Sequence, residues 1–145
     1  MTQLTKPATA TRSVVVEREM PHPAEKIWRA LIQGPLIEEW LMKNDFNPVV
    51  GHRFNLRRNP KPDLNIVIDC QVLVVEPNKT LSYTWSAAFD LEGVVTWTLT
   101  STSTGTHLRM EQSGFRPDQK LAYGGARGGW QKFLANLEQV LARTD

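Results

Sequence analysis

Apolar positions recur at two different periods along this chain, and the change of period divides it. "RSVVVEREM", residues 12–20, is a valine-rich run bounded by "PHP", which predicts a first strand. In "PAEKIWRALIQGP", Ala24, Ile27, Trp28, Leu31 and Ile32 then fall at steps of three and four. Pro23 suits the first turn of that helix and Gly34 its C-terminal stop. Pro35 can open a second short helix over "LIEEWLMK", where Leu36, Ile37, Trp40 and Leu41 share a face.

From Asp45 to Ser113 the period drops to two. "GHRFNLRR" is followed by the turn "NPKPD", "LNIVIDCQVLVVE" by "PNK", "LSYTWSAAF" by "DLEG", and "VVTWTLTSTS" by "TG", while "THLRMEQSGF" closes the run. Leu81, Tyr83 and Trp85 alternate with Ser82, Thr84 and Ser86, and Val95, Trp97 and Leu99 with Thr96, Thr98 and Thr100. One face is therefore wet and the other covered, and the short connections favour an antiparallel meander. The cover is the last segment, from about Pro117 to Arg143, where Tyr123, Ala126, Trp130, Phe133, Leu134, Leu137 and Leu141 return at helical spacing. The expected architecture is α+β: a curved antiparallel sheet of about six or seven strands wrapped around a long C-terminal helix, with two short helices after the first strand.

Composition narrows the classes without choosing a function. A chain of 145 residues, 41% hydrophobic and 22% charged, fits one domain over residues 12–145 preceded by a flexible, aperiodic tail over residues 1–11. No stretch is long and apolar enough to insert stably in a membrane, and the start "MTQLTKPATATR" has no apolar core of a secretory signal, so a cytoplasmic address is expected. A net charge of +2 is too small to imply nucleic acid, and the basic run "HRFNLRRNPKPD" reads as a solvated turn. The expected state is a monomer or homodimer.

Three segments, "VVVEREMPHPAEKIWRALIQGPLIEEWL", "LSYTW" and "GGWQKFLANLEQVL", carry a resemblance that spans residues 13–142. In this order they resemble the START-related (SRPBCC, helix-grip) superfamily, in the branch similar to the C-terminal domain of the heat-shock-chaperone ATPase activator. The resemblance implies a deep apolar cavity between sheet and long helix, and a link to stress response. It also implies three roles: lipid or other hydrophobic-ligand carrier, co-chaperone-like protein-interaction module, and polyketide-cyclase-like enzyme. Fold alone does not choose among them.

The candidate chemistry concentrates on the covered face. Gly124, Gly125, Gly128 and Gly129 interrupt the last helix, each at a cost of about 0.8–1.0 kcal/mol relative to alanine. "GGARGGW" lacks the Lys of a phosphate-binding loop and the spacing of a dinucleotide fingerprint, so the expectation is close approach of the helix to a neighbour or ligand. The inward phase collects Trp40, Phe54, Ile68, Cys70, Trp85, Trp97, Met110 and Trp130, five Trp in all in the chain being a bulky set for one small sheet and helix. These are the expected ligand-binding residues, with Gln112 as the polar group inside and Tyr123 and Arg127 as a hydroxyl and a cation at the cavity mouth. Cys70, in a run of Ile and Val, reads as a buried hydrophobe with a raised pKa rather than a nucleophile. His22, His52 and His107 lack paired metal-ligand spacing, so no metal, cofactor or catalytic residue is expected. The ranking is a carrier for an apolar or amphipathic small molecule, then a module with a chaperone or other protein partner, then an enzyme.

Overall fold

The computed structural model describes residues 11–87 and 91–145, so the expected tail lies, but for Thr11, outside the described residues. The chain runs β1 (Arg12–Met20), α1 (Ala24–Ile32), α2 (Gly34–Trp40), β2 (Lys43–Asn44), β3 (Arg53–Lys61), β4 (Leu64–Glu76), β5 (Thr80–Ala87), β6 (Leu91–Thr102), β7 (Gly105–Phe115) and α3 (Lys120–Ala142). The strands form one antiparallel sheet in the order β1-β7-β6-β5-β4-β3-β2. Everything from β2 to β7 is a meander, and β1 completes the sheet by pairing with β7. This is the α+β helix-grip arrangement.

Alternation decides which face is covered. Val14 and Val16 of β1, Phe54 and Leu56 of β3, Ile68, Cys70 and Val72 of β4, Leu81, Tyr83 and Trp85 of β5, Val95, Trp97 and Leu99 of β6, and Leu108 and Met110 of β7 are buried. α3 covers them with Trp130, Leu134, Leu137, Val140 and Leu141, also buried. Each such Leu contributes roughly 1.5–3 kcal/mol by leaving water. α1 buries Ile27, Trp28, Ala30 and Leu31, and α2 buries Ile37 and Trp40. The indole N–H of Trp40 donates to the Ala30 carbonyl at 2.8 Å, which fixes the angle between these helices.

Four boundaries differ from the sequence reading. Gly34 begins α2 instead of ending α1, because the chain breaks at Gln33, whose φ and ψ of -94° and 118° are extended. α2 stops at Trp40, before Leu41, Met42 and Lys43. Leu41 leaves helical geometry, and Lys43 and Asn44 pair with Arg57 and Leu56, while the Asn44 amide donates to the Gly34 carbonyl at 3.0 Å. β3 runs through Pro60 to Lys61, so the turn is only Pro62–Asp63; the register is irregular between Arg58 and Lys61, where the missing N–H of Pro60 costs no ladder bond. Leu91, Glu92 and Gly93 belong to β6 and not to a turn, since Gly93 pairs with Trp85 and Leu91 with Ala87.

One irregularity positions a polar side chain. At Gly114 φ is +99°, a conformation that favours glycine, and a Cβ there would lie 2.4 Å from the Glu92 carbonyl oxygen. The register against β1 shifts at this point, between Arg12 and Val14. The resulting bulge lets both Gln112 and Phe115 turn inward although they stand an odd three positions apart.

On the outer face His107 bridges two carboxylates of β1, with Nε2 2.7 Å from Glu17 and Nδ1 against Glu19. Hydrogen bonds to Glu17 and Glu19 raise its pKa above the usual imidazole value. A raised folded-state pKa stabilises the fold fully below the unfolded value and loses that stabilisation as pH rises through the folded one. The melting temperature is therefore expected to fall as pH rises above the ordinary imidazole pKa and through the raised one, and His107→Gln to flatten that fall. An equal drop in the variant would refute the assignment.

Candidate functional site

Aromatic rings pass in contact from the floor of the core to its edge. Trp40 meets Trp97 edge-on at 5.5 Å, Trp97 meets Trp130 at 5.7 Å, and Trp130 meets both Trp85 at 5.2 Å and Phe133 at 5.6 Å. The inner part of this series is solid. Trp40 and Trp97 are fully buried, and the Trp97 indole donates to the Tyr83 hydroxyl at 3.0 Å. Ile68 and Met110 pack in the same core.

The outer part borders a hollow. Trp85, Trp130 and Phe133, with Gln112 beneath and Gly125 and Gly129 of α3 above, line a crevice of about 240 Å³ whose rim carries Met42, Arg58 and Leu91. Gln112 is 2% exposed, and its carbonyl oxygen accepts from the Trp130 indole at 2.6 Å. Its amide nitrogen makes no hydrogen bond to any described residue, so two N–H donors remain for the crevice that Gln112 lines. The glycines differ from the expectation of close approach. A Cβ built at Gly124, Gly125, Gly128 or Gly129 meets nothing within 4 Å, so these positions leave space open instead of drawing a neighbour in.

The remaining expected residues do not converge on the crevice. Tyr123 packs edge-on against Phe115 at 5.5 Å, lies under the Arg12 guanidinium at 4.0 Å, and its hydroxyl donates to the Ser13 carbonyl at 3.5 Å. Arg127 is exposed on α3. Phe54 and Cys70 border a different hollow, of about 380 Å³, among Asp45, Arg53, Asn55, Asp69, Gln71, Thr84 and Ser86. Its polar groups are partly satisfied by the backbone: the main-chain N–H of Asn55 donates to the Asp45 carboxylate and that of Gln71 to the Thr84 hydroxyl, both at 2.8 Å. Burial pushes the Cys70 thiol up to about 12, with Asp69 and Asp45 adding to the effect, so it is no nucleophile at neutral pH. His52 stacks on Phe54 and bonds the Asp45 carbonyl, while His107 sits three strands from Cys70, on β7. Among the described residues no group of three His, Cys, Asp or Glu could hold a metal ion, and no helix is long and apolar enough to cross a membrane.

Sequence reasoning passed over Arg58. It belongs to the phase of Phe54 and Leu56, and so points to the covered side where β3 outruns the core. That two-residue spacing was the available signal.

Comparison with known proteins adds the relationship. Residues 21–142 match the family described as Activator of Hsp90 ATPase homolog 1-like protein. No curated protein matches. Among solved structures, protein MLL2253 from Mesorhizobium loti is 66% identical, with a TM-score of 0.86 over 92% of this chain and 99% of that one. Protein BH1534 from Bacillus halodurans is 25% identical, with a TM-score of 0.75 over 90% of this chain and 96% of that one. CalU16 from Micromonospora echinospora, 21% identical, shares the fold with a TM-score of 0.77 over 97% of this chain and 82% of that one.

Proposed function

This chain belongs to the Activator of Hsp90 ATPase homolog 1-like family, and from that premise we propose that it is a binding or carrier module for a hydrophobic or amphipathic small molecule. The observation that carries the reading is the ring-walled crevice under the glycine-bearing half of α3. A folded core closes on itself wherever it can, since interiors pack as densely as organic crystals. Here Trp85, Trp130 and Phe133 stop short of closure, and two missing side chains on α3 hold the gap open.

The chemistry of the lining favours binding over turnover. Arg58 is its one ionisable side chain among the described residues, and Gln112 its buried hydrogen-bonding one. Apolar walls with a few placed polar groups are the usual composition of a small-molecule site. Proton transfer would need an acid or base in reach of the ligand. Trp85, Gln112 and Trp130 are the expected contacts, with Trp40 and Trp97 as the rigid support behind them.

A panel of fatty acids, flavonoids and aromatic acids tests this by thermal shift and Trp fluorescence. A ligand at about a hundred times its Kd adds about 2.7 kcal/mol of stability, enough to raise the melting temperature by several degrees. Trp85 and Trp130 are expected to change emission in the same titration. A panel that moves neither signal would remove the proposal.

A further inference from the structure

We infer that the crevice takes a small ring-bearing carboxylic acid, its carboxylate held by Arg58 and its ring placed against Trp85 and Trp130. This rests on the binding reading above and names the ligand class. A second hollow, of about 570 Å³, adjoins the crevice, and Met42 and Arg58 line both. Arg58 therefore stands at the threshold between an aromatic interior and an outer basin. Lys43 and Arg57 also face that basin, with Glu38 as its single acid. Arg57 is engaged by Asn55 at 2.5 Å, whereas the Arg58 guanidinium has no hydrogen-bond or ion-pair partner among the described residues.

Each feature selects a property of the ligand. A free guanidinium fork matches the two oxygens of a carboxylate. Lys43, Arg57 and Arg58 against the single acid Glu38 leave the basin net positive, which favours an anion over its neutral counterpart. Inside, the Trp85 and Trp130 rings stand 5.2 Å apart at 55°, presenting tilted faces that suit a flat ring. The volume of about 240 Å³ lies below the roughly 300–1,000 Å³ of sites for drug-sized molecules, which limits the buried part to one or two rings. The spare N–H groups of Gln112 would meet an acceptor on the ring, such as a hydroxyl or ketone oxygen.

Calorimetric titration with naphthoate and its neutral shape-mate naphthamide tests the inference on the full chain. Naphthoate is expected to bind the unmodified protein roughly tenfold or more tightly than naphthamide, the scale of one charge-assisted hydrogen bond. Arg58→Gln, a change on an exposed side chain, is expected to bring naphthoate down to the level of naphthamide and to leave naphthamide unchanged. Equal binding of the two probes, or a preference that survives Arg58→Gln, overturns the carboxylate assignment while leaving the binding module intact. Binding of neither probe overturns the assignment, and silence across the wider panel as well removes the reading beneath it.

Discussion

Trp97→Ala is expected to lower the free energy of unfolding by about 3–5 kcal/mol, the range for a large aromatic removed from a core. Trp97 is 0% exposed and has ring neighbours on two sides, Trp40 at 5.5 Å and Trp130 at 5.7 Å. Its indole also donates to the hydroxyl of Tyr83, a buried side chain that desolvation pushes well above the ordinary phenol range. Truncation removes that donor and leaves a buried oxygen unpaired, which by itself costs about 1–3 kcal/mol. The upper end of the range is therefore expected, a large part of the roughly 5–15 kcal/mol that stabilises a typical domain. Urea unfolding should show a lower midpoint at an unchanged slope. A loss under about 1 kcal/mol would mean that Trp97 borders empty space, and the division into a solid inner half and an open outer half would fail.

That division explains how much of the molecule was legible in the chain. Period-two alternation from Phe54 to Met110 and period-3.6 recurrence from Trp130 to Leu141 report which side faces water, and both gave the layer arrangement. Gln112 was legible for the same reason, being in phase with Leu108 and Met110. Element ends were less so, because they depend on partners distant in sequence. Lys43 reads as a helical residue until Arg57 pairs with it, and Leu91 reads as a turn residue until it meets Ala87. The crevice was the least legible part. Whether inward Trp rings fill a core or wall a hollow depends on how far each one reaches across, and alternation carries no such distance. Trp97 and Trp85 share an inward phase, yet only Trp85 borders the opening. Arg58 was hidden by composition: among Arg57, Asn59, Lys61 and Asp63 it looked like one more solvated charge.

The four helix glycines provide the second large expected effect, and it has opposite signs for stability and binding. All four lie within α3, and none has a positive φ. A Cβ at any of them meets nothing within 4 Å, so alanine fits without moving a neighbour. Each replacement should then recover about 0.8–1.0 kcal/mol of helix propensity, or roughly 3–4 kcal/mol for all four if the sites add. Gly125 and Gly129 line the crevice, whereas Gly124 and Gly128 do not, and nothing in the fold requires glycine at the latter two. The paired variants G124A/G128A and G125A/G129A should therefore gain similar stability, about 2 kcal/mol each. Only the second pair places methyl groups into a hollow of about 240 Å³, so only it should weaken a bound aromatic acid. Thermal melts and calorimetric titrations of both pairs separate the two effects. Failure of either pair to stabilise would mean that α3 needs glycine for its backbone path. Equal weakening of the ligand by both pairs would mean that the gap does not lie along the Gly125–Gly129 row. The expected split would instead identify these two residues as positions where helix stability is given up to keep a binding site open, a trade that selection on stability alone would not preserve.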